Sequence, residues 1–289
     1  MYRFTPQKKR SRLRIEIGRL FFSLLRYRLW LQQAKNYQLC RVKDPSSIQE
    51  QYPYKVFSHR TPLFRHLCDI DSRLQENKVV NLSIAVSKLH GILLEPGKTL
   101  SYWKCIGYPS AIRGFKKGVV LVNGVATERV GGGLCQLSNL LYWMTVHTPL
   151  SVVERYRHSF DVFPDQNRTQ PFGSGATCVY NYRDLQIKNE TDQSFLLDLS
   201  IHDGELWGSW HCAHTINDTY EVYERSHWIT QEMPGLYVRH NILGRRRYSL
   251  NSTHVRELRD DILLTENHAI MMYSPLISAP TSFCDTGSL

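Results

Sequence analysis

The residues best suited to chemistry stand together in Gly131-Gly132-Gly133-Leu134-Cys135-Gln136. Three successive glycines leave a backbone free to take φ > 0 and to come close to a ligand. A helical pattern starts at once, because Leu134, Leu137, Leu141 and Met144 recur at steps of three, four and three. Cys135 and Gln136 then fall in or beside the first turn, where N–H groups lack intrahelical partners and the helix dipole favours negative charge. A cysteine so placed is expected to have a lowered thiol pKa. These are the parts of a cysteine nucleophile, with Gln136 and nearby backbone N–H groups as oxyanion donors. The plainer reading is a small buried side chain at a helix start. The glycines are not a Walker phosphate loop, since no Lys-Ser or Lys-Thr follows them.

His158 is the candidate base. A thiolate–imidazolium pair needs the ring within hydrogen-bond reach of the sulfur, whatever the separation in sequence. A strand is expected over Val152 to Arg157 with His158 at its end, and a helix packed on that strand could bring the two residues together. Papain-like peptidases use a Cys-helix and a His-strand in this order, which is an analogy of arrangement only. A structural role for His158 stays open. His211-Cys212-Ala213-His214 could hold zinc only with a fourth ligand such as Cys178 or His202; the spacing matches no standard finger, and strand-end residues are the simpler reading. No dinucleotide fingerprint and no nucleic-acid motif occurs, so neither cofactor nor metal nor nucleic acid is expected.

The elements that must position these residues come next. At 289 residues the chain can form one large domain or two small ones, and its 42% hydrophobic and 21% charged content is that of a globular protein. Aromatic content of 11% points to extensive sheet. A formal charge of +10 makes an anionic partner plausible: a membrane surface, nucleic acid or an acidic cell-wall precursor. The seven cysteines are scattered and odd in number, which does not make a disulfide framework. With no cleavable leader visible and no apolar run near the roughly 20 residues that span a bilayer, a cytoplasmic location is the expectation.

The first segment is basic, from Lys8 to Arg14. An amphipathic helix follows, with Leu13, Ile17, Leu20, Leu24, Tyr27 and Leu31 on one stripe and Arg12, Glu16, Arg19, Ser23 and Arg26 on the adjacent one. Such a helix either packs its apolar stripe on its own domain or lies at the inner face of an anionic membrane. A second helix is expected from about Lys78 to Leu94, ended by Pro96-Gly97, and a strand from Lys98 to Cys105. Val119–Val122, Asn123-Gly124 and Val125–Val130 predict a hairpin that delivers the chain into the glycine loop. Ala176 to Arg183 and Leu185 to Asn189 look strand-like, and Phe195 to Ile201 alternates before a turn at Asp203-Gly204. Beyond His214, short strand-like pieces alternate with turns, and Arg245-Arg246-Arg247 suggests a solvated loop.

At this point the residues resemble a known family. Glu76-Asn77-Lys78-Val79, Leu94-Glu95-Pro96-Gly97-Lys98-Thr99-Leu100-Ser101-Tyr102-Trp103, Val122-Asn123-Gly124, the run Gly131 to Trp143, His147-Thr148-Pro149-Leu150, Asp184-Leu185, Lys188-Asn189 and Thr191-Asp192 are similar to the VanW family. The likeness covers Gln75 to Trp210 and is closest to the family's short form, which lacks a membrane anchor and a G5 module. It implies a setting, glycopeptide (vancomycin) resistance and the cell envelope, and no particular reaction. Gly131, Gly132, Gly133, Cys135, Gln136 and His158 match the family's motif positions. Where many members have Asp-Ala-Thr, this chain has Gly175-Ala176-Thr177, which removes a candidate acid for orienting the His.

The expected architecture is α+β: a mixed or antiparallel sheet packed with the Cys-bearing helix. The expected division is a basic helical extension over 1–74, a core domain over 75–212 and a β-rich region over 213–289. Two functions stay open. One is a Cys135/His158-dependent acyl transferase or hydrolase with Gln136 as oxyanion donor. The other is a non-enzymatic accessory protein that binds a cell-wall precursor or an envelope protein through Gly131, Gly132 and Gly133.

Overall fold

The computed structural model describes residues 11–37, 50–64, 71–122, 124–162, 170–250 and 255–275. Its centre is an antiparallel sheet in the order β1 (Tyr54–Pro62), β10 (Glu205–Cys212), β9 (Phe195–His202) and β2 (Ile92–Leu94). The β9–β10 hairpin follows from its sequence. Phe195, Leu197 and Leu199 are buried, and Asp203 and Gly204 both take the positive φ that a tight two-residue turn needs.

Two helices pack on this sheet. Helix α2 (Ser72–Leu89) lies against β9 and buries Leu74, Leu82, Ala85 and Leu89; helix α4 (Cys135–Val146) lies against β1 and β10. Leu137, Leu140, Leu141 and Met144 of α4 are at most 1% exposed. Each such side chain is worth about 1.5–3 kcal/mol of burial. No side-chain cap holds the start of α4 at Leu134, so packing fixes the helix and carries Cys135 and Gln136 with it.

Helix α2 departs from the sequence expectation at both ends. It begins at Ser72, where Asp71 caps the Arg73 N–H at 2.8 Å, and it stops at Leu89. Gly91 then takes φ +79°, and Ile92–Leu94 turns into β2 against Phe195–Leu197. Leu93, which fits the helical stripe, belongs to a strand. The strand expected over Lys98–Cys105 is confined to β3 (Thr99–Ser101), because Ser101 caps a short helix α3 (Tyr102–Ile106) at the Lys104 N–H, 3.2 Å away. β3 joins β8 (Gln186–Lys188) and β6 (Ser151–Glu154) in a second sheet. Ala176–Arg183 is not a strand; only an isolated bridge joins Val179 to Arg183.

The hairpin β4 (Lys117–Val122) and β5 (Val125–Val130) is present, with Val122 opposite Val125, and it leads into the glycine loop; Asn123 lies outside the described residues. The C-terminal strands β11 (Asp218–Met233), β12 (Leu236–Leu250) and β13 (Arg256–Met271) are long, not short pieces, and β7 (Phe160–Asp161) lies parallel beside β13. The Arg245–Arg247 run is strand, not loop. Arg246 and Arg247 stand opposite Asp261 and Asp260, with Arg247 Nε 2.7 Å from Asp260 and Arg246 Nε 3.3 Å from Asp261. Cross-strand opposite charges make that register favourable. The class is α+β, as expected.

Helix α1 (Arg12–Gln32) docks with its polar side inward. Arg26 and Trp30 are its buried residues, and Arg19 and Ser23 lie on the same stripe at i−7 and i−3 from Arg26. The Arg26 guanidinium grips the Glu154 carboxylate with both nitrogens, one of them at 2.7 Å, and Tyr27 meets the Tyr180 hydroxyl at 2.7 Å. The apolar stripe other than Tyr27, by contrast, points to solvent: Leu13, Ile17, Leu20, Leu24 and Leu31 are 59–78% exposed. A bidentate ion pair with only 8% of Arg26 exposed therefore sets the orientation that hydrophobicity alone would have reversed.

Candidate functional site

Cys135 opens α4, as the spacing predicts. Part of the residue reaches the surface, but its sulfur lies deep and makes a long contact, 3.9 Å, to the Cys178 carbonyl. Burial pushes the Cys135 thiol up, only partly offset by that bond, and it pushes the neighbouring Cys178 thiol up as well. The expectation of a lowered thiol pKa is thus corrected. Removing a full charge from water outweighs the roughly half-charge of a helix start.

The Gln136 amide is anchored within the fold. Its Nε2 donates to Thr61 Oγ1 and to the Pro62 carbonyl, both at 2.9 Å, tying α4 to the end of β1. The glycine loop is also inward-looking. Gly131 N–H donates to the Lys116 carbonyl and Gly132 N–H to the Arg129 carbonyl, each at 3.0 Å. A Cβ on Gly132 would overlap the carbonyl of Gly118, so this glycine is required by two backbones crossing. Asn81, fully buried on α2, clamps the crossing: Nδ2 donates to the carbonyls of Gly132 (2.9 Å) and Lys116 (3.0 Å), while Oδ1 accepts the Lys116 N–H at 2.7 Å.

His158 lies beyond the end of β6, and its ring is held by two residues other than Cys135. Nδ1 is 2.8 Å from Thr177 Oγ1 and Nε2 is 3.4 Å from Asn139 Oδ1. Asn139 Oδ1 can only accept, so Nε2 carries the proton and Nδ1 accepts from the Thr177 hydroxyl. Burial, with the positive Arg155 nearby, pulls the His158 pKa down to about 4, so the ring is neutral at physiological pH. Among the described residues no hydrogen bond joins His158 to Cys135.

Gly175 does adjoin this histidine. A Cβ there would lie 3.2 Å from His158 Cδ2 and 2.7 Å from Asn139 Oδ1. Asp161, three residues past His158, and Asp184, beyond the 173–175 loop, are acids that could orient the ring, and both are committed elsewhere. Asp161 pairs with Arg239 at 3.3 Å and accepts from the Tyr273 hydroxyl at 2.7 Å. Asp184 accepts from Ser101 Oγ, the Trp103 N–H (2.9 Å), the Leu185 N–H (3.0 Å) and Gln186 Nε2 (3.3 Å).

Arg155 is the residue of this region that type and spacing do not single out. Arg155 stacks its guanidinium 4.6 Å over the Tyr142 ring and donates to the carbonyls of Gly175 (2.8 Å) and Gly173 and to Thr265 Oγ1 (2.8 Å). It thereby holds the 173–175 loop against His158. Asp184, fully buried, has its carboxyl pushed up to about 7 by burial, against the four hydrogen bonds it accepts. The one hint in the sequence is a charged residue set among apolar ones, as in Val152-Val153-Glu154-Arg155. In the His211–His214 segment, His211 Nε2 meets Ser209 Oγ at 2.9 Å and the Cys212 thiol points to the His214 carbonyl at 3.0 Å. Among the described residues no group of three or more His, Cys, Asp or Glu is placed to hold a metal, and no helix is long and apolar enough to cross a membrane. An open cleft of about 420 Å³ lies between Gln33, Tyr37, Thr99, Val153, Gln186 and Lys188, apart from both Cys135 and His158.

Residues 77–211, which hold the Gly-clamped helix start and its Cys-Gln, match the family described as VanW like protein, and the chain belongs to the VanW family. The chain is 32% identical to the Vancomycin B-type resistance protein VanW of Enterococcus faecalis over 65% of its own length and 69% of that protein's. It is 26% identical to the uncharacterized protein YoaR of Bacillus subtilis over 47% of its length and 44% of YoaR. No solved structure matches it.

Proposed function

We propose that the protein acts in glycopeptide resistance as a non-enzymatic accessory protein that binds a cell-envelope component or an envelope protein. The setting comes from the resemblance to the resistance protein VanW. The observation that carries the non-enzymatic part is the state of Cys135 and His158: a thiol pushed up by burial, and a neutral imidazole bonded to Thr177 and Asn139. A thiol enzyme needs a thiolate at working pH. Gln136 and two glycine N–H groups, the donors an oxyanion hole would use, are bonded within the fold. Gly175 in place of an acid beside His158 fits the same reading, because the ring then lacks a group to stabilise its charged form.

The test is thiol labelling together with a resistance assay. Cys135 should react with iodoacetamide only above the ordinary thiol range of about pH 8.5. Cys135→Ala should leave glycopeptide resistance in a host carrying the protein unchanged. Rapid labelling at neutral pH that disappears in His158→Ala, with loss of resistance in Cys135→Ala, would overturn the proposal in favour of cysteine acyl-transfer or hydrolytic chemistry.

A further inference from the structure

We infer that α1 lies in the headgroup region of an anionic phospholipid bilayer, with Leu13, Ile17, Leu20, Leu24 and Leu31 turned toward the acyl chains. These five residues recur at steps of four, three, four and seven, which puts them on one line along the helix. They form a ridge, not a groove. The ridge runs the length of a 21-residue helix, about 32 Å. Every one of them is more than half exposed, and Phe21 widens the surface at 57%. A contiguous apolar surface of that extent on a water-exposed helix marks an interaction site.

The helix cannot turn this face inward without giving up its anchors. Arg26 is committed to Glu154 and to the Tyr182 carbonyl, and Trp30 is buried with the Lys104 ammonium 5.5 Å from its ring centre. The polar stripe is the docking face, so the apolar stripe is presented outward by construction.

Charge decides between a bilayer and a second copy of the chain. Arg14 lies three residues before Ile17 and Arg28 four after Leu24; both are exposed and border the ridge. The one acid of the helix, Glu16, is neutralised by Arg19 at 2.6 Å. Two copies meeting along this ridge would bring these arginines together on chains of formal charge +10, whereas an anionic lipid surface attracts them. A convex apolar ridge flanked by arginines, too polar overall to span, is the form of a helix that lies in the interface plane.

The test is co-sedimentation of the full-length protein with phosphatidylglycerol-containing vesicles and with pure phosphatidylcholine vesicles. Wild type should bind the former and bind the latter much more weakly. Leu20→Glu with Leu24→Glu should reduce binding by more than about tenfold, the two leucines being no longer available for burial. Arg14→Gln and Arg28→Gln should each weaken it about fivefold at low salt, and the difference should shrink at high salt. All four side chains are exposed, so circular dichroism should show an unchanged fold. Absence of vesicle binding, equal binding to both vesicle types, or unchanged binding of the double glutamate variant would each overturn the inference. So would self-association of the wild type that the glutamates abolish while vesicle binding is nil, which would assign the ridge to a second copy.

Discussion

Asp184→Asn should shift the pH dependence of the protein's stability, removing a contribution that runs opposite to that of most carboxylates. Asp184 is fully buried, and its carboxyl is pushed from 3.8 to about 7 in the folded chain. An acid whose folded pKa is raised binds its proton more tightly folded than unfolded. Its contribution therefore favours the fold at low pH and is lost as pH rises from the unfolded pKa to the folded one. At roughly 1.4 kcal/mol per pH unit, the cost grows by about 3 kcal/mol between pH 5 and pH 8. That is a large share of a typical 5–15 kcal/mol stability. In the wild type this trend is masked, because His158, lowered to about 4, titrates the other way. An imidazole harder to protonate folded than unfolded removes stability as pH falls from 6.5 toward 4. The difference between variant and wild type cancels that background. Asn keeps one carbonyl oxygen for the Trp103 and Leu185 N–H groups, and its amide can donate to Ser101 Oγ. Urea unfolding of both proteins at pH 5 and at pH 8 measures the effect. The variant should gain about 3 kcal/mol on the wild type between the two. A difference independent of pH would refute the account, since it would mean that Asp184 ionises alike in the folded and unfolded chain.

Gly175→Asp should raise the His158 pKa from about 4 toward the ordinary 6.5, read by NMR titration of the ring, and more so with Asn139→Ala, which clears the oxygen 2.7 Å from the new Cβ. An unchanged His158 with the fold intact would dissociate position 175 from the ring. Gly132→Ala should destabilise by about 3 kcal/mol or more, because its methyl must displace the Gly118 backbone. Gly18→Ala, in α1 with nothing within 4 Å of the new Cβ, should instead stabilise by about 1 kcal/mol, and chemical denaturation distinguishes the two signs.

What could be read in the sequence were features set by neighbours along the chain. Helix α4 was legible because Leu134, Leu137, Leu141 and Met144 share a stripe and all four are buried. The β9–β10 and β4–β5 hairpins were legible from alternation and turn residues. Features set by distant partners were not. Helix α3 depends on Asp184, 81 residues beyond Trp103, to accept the Trp103 N–H in its first turn. The orientation of α1 depends on Glu154, 128 residues beyond Arg26, and no periodicity records that pairing. At the site, Cys135 and Gln136 stood where the spacing put them, but the depth of the sulfur and the partners of His158 come from tertiary packing. The helix dipole does not lower the Cys135 thiol because burial, which leaves no mark in the sequence, outweighs it.

The reach of Arg155 bears on the order in which the molecule assembles. One guanidinium joins the end of β6, the loop at 173–175 and Thr265 on β13, which lies 110 residues downstream. A growing chain that has not yet supplied β13 has no partner for one arm of that group and nothing on the far side to press the loop onto His158. Contacts of such long separation pay their loop-closure entropy late. The surroundings of His158 are therefore completed only when β13 has emerged, and a chain halted before Thr265 would carry every residue of the Cys135 motif and still lack the finished site.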